Sequence, residues 1–198
     1  MKNIKFKIIA LLLLLLILIL FLVPTAYQFY KKNSCGEIKI SEVLITNDKT
    51  NILIYARVSG ITEDIKRAIL AGVPTTFTFR IEFYEDKKYR IDKRLAQIEI
   101  KKHIKYDRIK KTFYLTSNLQ KTVEGFQEFD LARLAITEIN GIPVTSIKNL
   151  KDDHKYYAKI KLEWENYQLP FYAEFIRIFL SLKDFETDWY YQPFHFQK

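Results

Sequence analysis

The chain has 198 residues, 48% of them apolar and 15% aromatic, which is too apolar for a disordered chain and long enough for one domain with an attachment. Lys and Arg number 32 against 23 Asp and Glu, a formal net charge of +9. Five Gly exclude a glycine-rich phosphate loop and a flexible Gly/Ser linker, and a single Cys excludes an internal disulfide and a Cys-based zinc cluster.

The chain begins with a basic tail, Lys2, Lys5 and Lys7, followed by an uninterrupted apolar run from Ile8 to Val23. As a helix that run spans roughly 24 Å at 1.5 Å per residue. Pro24 to Tyr27 and the snorkelling stem of Lys7 bring it close to the thickness of a bilayer core. It has no polar face, so it is not a core helix of a soluble domain. A cleaved signal peptide and an uncleaved anchor are the two alternatives. The run is slightly long for a signal, and Pro24 occupies the small-residue position before Ala26, so we read an uncleaved anchor. Tyr27, Phe29 and Tyr30 with Lys31 and Lys32 suit an interfacial belt behind it. The short basic tail predicts a single-pass protein with its N-terminus inside and its body outside. Residues 1–30 are thus the anchor, 31–36 a linker containing Cys35, and 37–198 one globular domain.

Within that domain, residues 37–46 read as a strand and Asn47-Asp48-Lys49 as a hairpin turn. Period-two alternation follows: Ile52, Ile54, Ala56 and Val58 share one face of residues 52–58. Thr62 caps a predicted helix whose stripe is Ile65, Ala68 and Ile69, with Gly72 at its stop. Residues 76–84 alternate, with Phe77, Phe79, Ile81 and Phe83 inward, and residues 96–106 place Ala96, Ile98, Ile100, Ile104 and Tyr106 together. Residues 112–116 form a further short strand. Asp130 caps a second predicted helix with Leu131, Leu134, Ala135 and Ile139 inward, ended by Asn140-Gly141 and Pro143. Ala158, Ile160, Leu162 and Trp164 line one side of residues 156–164, and residues 171–182 read as a last strand. The pattern predicts an α+β domain, β-rich, an antiparallel sheet or sandwich with two short helices.

Several stretches carry a family resemblance. The run Ala68-Ile69-Leu70-Ala71-Gly72-Val73-Pro74-Thr75-Thr76-Phe77 is similar to a helix-into-strand motif, and Gln168-Leu169-Pro170 followed by Asp188-Trp189-Tyr190 resembles a C-terminal signature. Both occur in bacterial domain-of-unknown-function family 4390, and the likeness covers roughly residues 37–192. The resemblance implies a membrane-linked or exported domain and no established activity.

The chemistry of the side chains points to contact rather than catalysis. No nucleophile elbow, P-loop, dinucleotide fingerprint or zinc-protease helix occurs. Asp152-Asp153-His154 is the compact acidic and imidazole group, read as a polar turn, and Asp184, Glu186 and Asp188 as a solvated loop. No cofactor and no metal is expected. Between Lys87 and Lys111 eleven Lys or Arg face three acids, Asp92, Glu99 and Asp107. The contact residues we single out are Lys101, Lys102, Lys105, Arg108, Lys110 and Lys111. Such a set suits an anionic lipid surface or an acidic envelope protein; nucleic acid is unlikely for an exported body. Lysines on edge strands also keep sheets from pairing edge to edge. The leading reading is an anchored extracytoplasmic binding or accessory domain of the cell envelope without catalysis. The alternatives are a carrier or sensor of an apolar molecule in an aromatic-lined cavity, and an unrecognised enzyme.

Overall fold

The computed structural model describes residues 38–166 and 185–197. In chain order these form β1 (Lys39–Asn47), β2 (Asn51–Ser59), α1 (Glu63–Leu70), β3 (Thr75–Glu85), β4 (Lys93–Asp107), β5 (Thr112–Ser117) and β6 (Gln120–Phe126). Then follow α2 (Phe129–Thr137), β7 (Glu138–Ser146), a 3-10 turn (Ile147–Asn149), β8 (His154–Asn166), β9 (Phe185–Glu186) and β10 (Tyr190–Phe196). The predicted anchor at residues 8–23, the strand expected at 171–182, Gln168-Leu169-Pro170 and Asp184 lie outside the described residues. Among the described residues no helix is long and apolar enough to cross a membrane.

Two antiparallel sheets carry the fold. One has the order β1-β2-β7; the other runs β10-β8-β3-β4-β5-β6, with β9 paired to β8. They meet where β1 touches β8 and β10 and where β7 touches β4. The β-rich antiparallel architecture with two short helices is as the alternation predicted. Ile52, Ile54, Ala56 and Val58 are buried in the small sheet, and Phe77, Phe79, Ile81 and Phe83 in the large one. On β8 the matching face is Ala158, Ile160, Leu162 and Trp164, all buried. Aromatic residues of β3 and β8 fill the core of the large sheet: Phe83 stacks on Tyr156 with centroids 5.8 Å apart, and Phe77, Phe79 and Trp164 are sealed from water.

Local chemistry sets the connections. Asp48 closes the β1–β2 turn by accepting from the Thr50 and Asn51 N–H groups at 2.9 and 2.6 Å, with Lys49 left-handed at φ 72°. The Thr62 hydroxyl accepts from the Ile65 N–H and caps α1, whose stripe Ile65, Ala68 and Ile69 is buried. At its other end Gly72 (φ 85°) donates to the Ile69 carbonyl and Val73 to the Ala68 carbonyl, so a Schellman stop turns the chain into β3.

The second helix differs from expectation. It starts at Phe129, with Glu128 as N-cap, and ends at Thr137. Its buried face is Ala132, Ile136 and Thr137, whereas Leu131 and Leu134 are exposed. Ile139, Asn140, Gly141 and Pro143 belong to β7, not to a helix and its stop. Pro143 is tolerated because β7 is an edge strand, where one missing N–H costs no ladder bond on the open side. Gly141 sits at φ 66°, and a Cβ there would lie 2.9 Å from Tyr55 Oη. Gly141→Ala is expected to destabilise by at least about 1 kcal/mol, from left-handed strain plus displacement of Tyr55. Urea unfolding of the two proteins checks this.

Candidate functional site

β4 is the long strand of the large sheet, 15 residues, or about 50 Å at 3.3 Å per residue. Its two connections lie at opposite ends. The eleven basic residues between Lys87 and Lys111 therefore do not form one patch. Lys87, Lys88 and Arg90 occupy the β3–β4 loop, and Arg108, Lys110 and Lys111 the β4–β5 turn.

The alternation of β4 divides the six singled-out residues further. Lys101 and Lys105 project from the outer face with His103 between them; Lys102 shares the inner face with buried Ile100 and Ile104. Lys101 is paired to Glu99 at 3.0 Å. His103 contacts the Thr76 hydroxyl through Nδ1 at 3.1 Å. Burial first, and then the nearby Lys105 charge, push its pKa below the ordinary 6.5, so at neutral pH it adds no positive charge to this face. Lys105, Arg108, Lys110 and Lys111 cluster at the end of the strand. All four are exposed, and none takes part in an ion pair among the described residues.

The acid of that turn is spent on its backbone. Asp107 Oδ1 accepts from the Ile109 and Lys110 N–H groups at 2.9 and 3.0 Å, and Lys111 takes a left-handed φ of 52° to rejoin β5. These bonds hold the Asp107 carboxyl below the usual carboxylate range, the Lys110 N–H bond being the largest cause. The turn is thereby fixed in shape, with Ile109 95% exposed at its tip and the Lys110 amine 6.0 Å above the Tyr114 ring.

Lys102 does something else. Its amine crosses the sandwich and donates to the Ala135 carbonyl at 2.6 Å and to the Glu138 carbonyl. α2 has no basic residue in its own last turn, so β4 supplies the cation that its C-terminal carbonyls favour. Burial lowers the Lys102 pKa to about 8, with Glu124 and Glu138 opposing the shift. Beside it is a cavity of about 190 Å³ between β5, β6 and β7, walled by Ile100, Leu115, Ile139, Ile142 and Glu124. No aromatic side chain lines it. The parity of residue 102 with Ile100 and Ile104 was the sequence signal for this inward placement.

The acidic and imidazole residues do not converge. His154 Nδ1 meets Glu85 at 3.2 Å, where Lys151 also binds, while Asp153 meets His195 Nε2 at 2.9 Å. Glu186 is held by Lys161 at 2.9 Å. Among the described residues no group of three or more His, Cys, Asp or Glu is placed to hold a metal ion.

The helix-into-strand passage from Ala68 to Phe77 forms the Schellman stop of α1 and the start of β3, and Asp188-Trp189-Tyr190 leads into β10. A family model described as "Domain of unknown function (DUF4390)" matches residues 36–192. The chain belongs to the DUF4390 family. No curated protein and no solved structure matches it. Within this DUF4390 domain the matched span takes in β1 to β9, both helices, the basic turn and Lys102, and ends within β10.

Proposed function

We propose that this DUF4390 protein is a membrane-anchored, extracytoplasmic binding or accessory domain of the bacterial cell envelope. In this reading residues 8–23 hold it in the inner membrane as a single span, the body lies in the periplasm, and its work is contact, with no reaction assigned. The observation that carries the reading is the β4–β5 turn: four exposed cations, Lys105, Arg108, Lys110 and Lys111, in no ion pair among the described residues and with the single carboxylate of Asp107 nearby, around a fully projecting Ile109. A preformed turn loses little entropy on binding, and a turn with an excess of cations favours an anionic lipid surface or an acidic partner protein. Lys101 adds to the rim of this surface and is already paired to Glu99. Lys102 supports the surface from inside by tying α2 to β4.

Each cation near an anionic bilayer contributes about 1 kcal/mol. Lys105→Gln with Lys111→Gln is therefore expected to weaken binding to phosphatidylglycerol-containing vesicles by about 2 kcal/mol, roughly thirtyfold. The wild-type affinity is expected to fall as salt is raised. Equal binding by variant and wild type, to vesicles and to co-purifying proteins alike, would remove the turn from the reading.

A further inference from the structure

The other end of β4 carries a second projecting tip. The β3–β4 loop, residues 86–92, places Tyr89 88% and Ile91 94% exposed. Side chains so exposed usually belong to mobile chain, but this loop is tied down. Asp92 accepts the Lys87 N–H through Oδ1 at 2.9 Å and the Tyr157 hydroxyl through Oδ2 at 2.7 Å. The Arg90 N–H donates to the Lys87 carbonyl at 3.2 Å, and the Asp86 N–H to the Lys155 carbonyl at 3.0 Å. Beneath it Tyr157 stacks on Tyr84 with centroids 5.1 Å apart and meets the tilted ring of Tyr191 at 4.6 Å. One carboxylate thus fastens the loop to a rigid aromatic base, and its hydrogen bonds and Lys159 hold its pKa down, the Lys87 N–H first among them.

Around the two apolar tips stand Lys87, Lys88 and Arg90, none of them in an ion pair among the described residues. Asp86 is the one acid of the loop left outside the Asp92 clamp, so the exposed loop is net positive. A convex tip of two side chains is far too small for a stable protein interface, which needs about 800 Å² from each partner. It has the right form for a bilayer interface: Tyr at headgroup depth, an aliphatic tip at the acyl boundary, and Lys and Arg stems that bury carbon while their charges stay wet.

We propose that the β3–β4 loop is a second docking site, and that its partner is an anionic lipid bilayer surface. It is separate from the β4–β5 turn, because the whole length of β4 lies between them.

The test uses the full chain in phosphatidylcholine nanodiscs, mixed with sedimentable vesicles of phosphatidylcholine alone or of equimolar phosphatidylcholine and phosphatidylglycerol. Wild type is expected to pellet with the mixed vesicles and to stay in solution with the neutral ones. Lys87→Gln, Lys88→Gln and Arg90→Gln together are expected to reduce affinity roughly a hundredfold, at about 1 kcal/mol per charge. Tyr89→Ser with Ile91→Ser is expected to lower it by at least about tenfold. Lys88, Tyr89, Arg90 and Ile91 are exposed and Lys87 is half-buried, so denaturant midpoints of both variants are matched to wild type before binding is compared. Unchanged binding by both loop variants, or pelleting of wild type with neither vesicle, overturns the proposal. A loss confined to the Lys105→Gln and Lys111→Gln variant overturns it while leaving the turn in place; a loss confined to the loop variants supports it and removes the turn instead.

Discussion

Replacing Phe79 by Ala is expected to cost about 3–5 kcal/mol of folding free energy. Phe79 lies midway along β3, the strand that pairs with both β4 and β8, opposite Ile100 on one side and Leu162 on the other. All three are fully buried, so truncation removes apolar area and leaves a hole that rigid sheet backbones cannot close. A domain of this size has on the order of 5–15 kcal/mol in total, so the variant loses a large share. Phe79→Leu keeps most of the volume and is expected to cost far less, within about 1.5 kcal/mol. Denaturant midpoints of the full chain in a fixed detergent measure both. A Phe79→Ala chain as stable as wild type would mean that the large sheet is not the core.

Lys102→Met carries the next largest expected effect, roughly 2–4 kcal/mol at neutral pH. The substitution fits the stem but withdraws the donor from two half-buried carbonyls, Ala135 and Glu138, each costing about 1–2 kcal/mol when left unpaired, the lower part of the range for a buried acceptor. The effect has a pH signature. The Lys102 pKa is lowered to about 8 in the fold and is about 10.4 in an unfolded chain. Between those values the unfolded state keeps a proton that the native state has released. Wild-type stability therefore rises with pH across that window, by on the order of 3 kcal/mol at most, and the rise is complete above it. Below pH 8 both states hold the proton and this contribution is flat. A neutral amine keeps two N–H donors, enough for both carbonyls. Lys102→Met lacks the rise, so the gap between the two proteins widens from pH 8 to 10.5. Parallel curves would show that residue 102 is solvated. The Lys102 amine also sits 5.9 Å from the Phe79 ring, so the two substitutions are expected to be less than additive when combined.

Much of this architecture was legible from alternation, and the exceptions have physical causes. β2, β3 and β8 each bury one face, the condition under which a strand writes period two into its sequence; β4 alternates too, but buries only Ile100 and Ile104, while Ala96, Ile98 and Tyr106 stay half-buried. β6 is exposed along nearly its whole length, so Gln120 to Phe126 carries no such pattern. β7 contains Gly141 and Pro143, which read as a helix stop; an edge strand accepts both. β10 holds Pro193 at an edge of the large sheet, paired with Tyr157 of β8 on one side only. The face of α2 was misread because Leu131 and Leu134 outweigh Ala132 in hydrophobicity, yet the small side chain is the one that fits under the sheet.

The basic segment shows the same limit. As a string, Lys87 to Lys111 is one dense run of charge. Folded, it is a loop, a strand and a turn, and the strand separates its ends by about 50 Å while its alternation sends Lys102 inward. Composition could find the charge; only register could divide it into two tips and one buried latch.

Sidedness decides whether the proposed contacts can form, because both tips meet periplasmic surfaces only if the body is exported. Cys35 is the single thiol of the chain and follows the predicted anchor. Intact cells are treated with a membrane-impermeant maleimide, permeabilised cells serve as the control, and the protein is weighed whole. Labelling of Cys35 is expected in intact cells, on a chain of full-length mass. Labelling that appears only after permeabilisation would put the body in the cytoplasm and overturn the envelope reading.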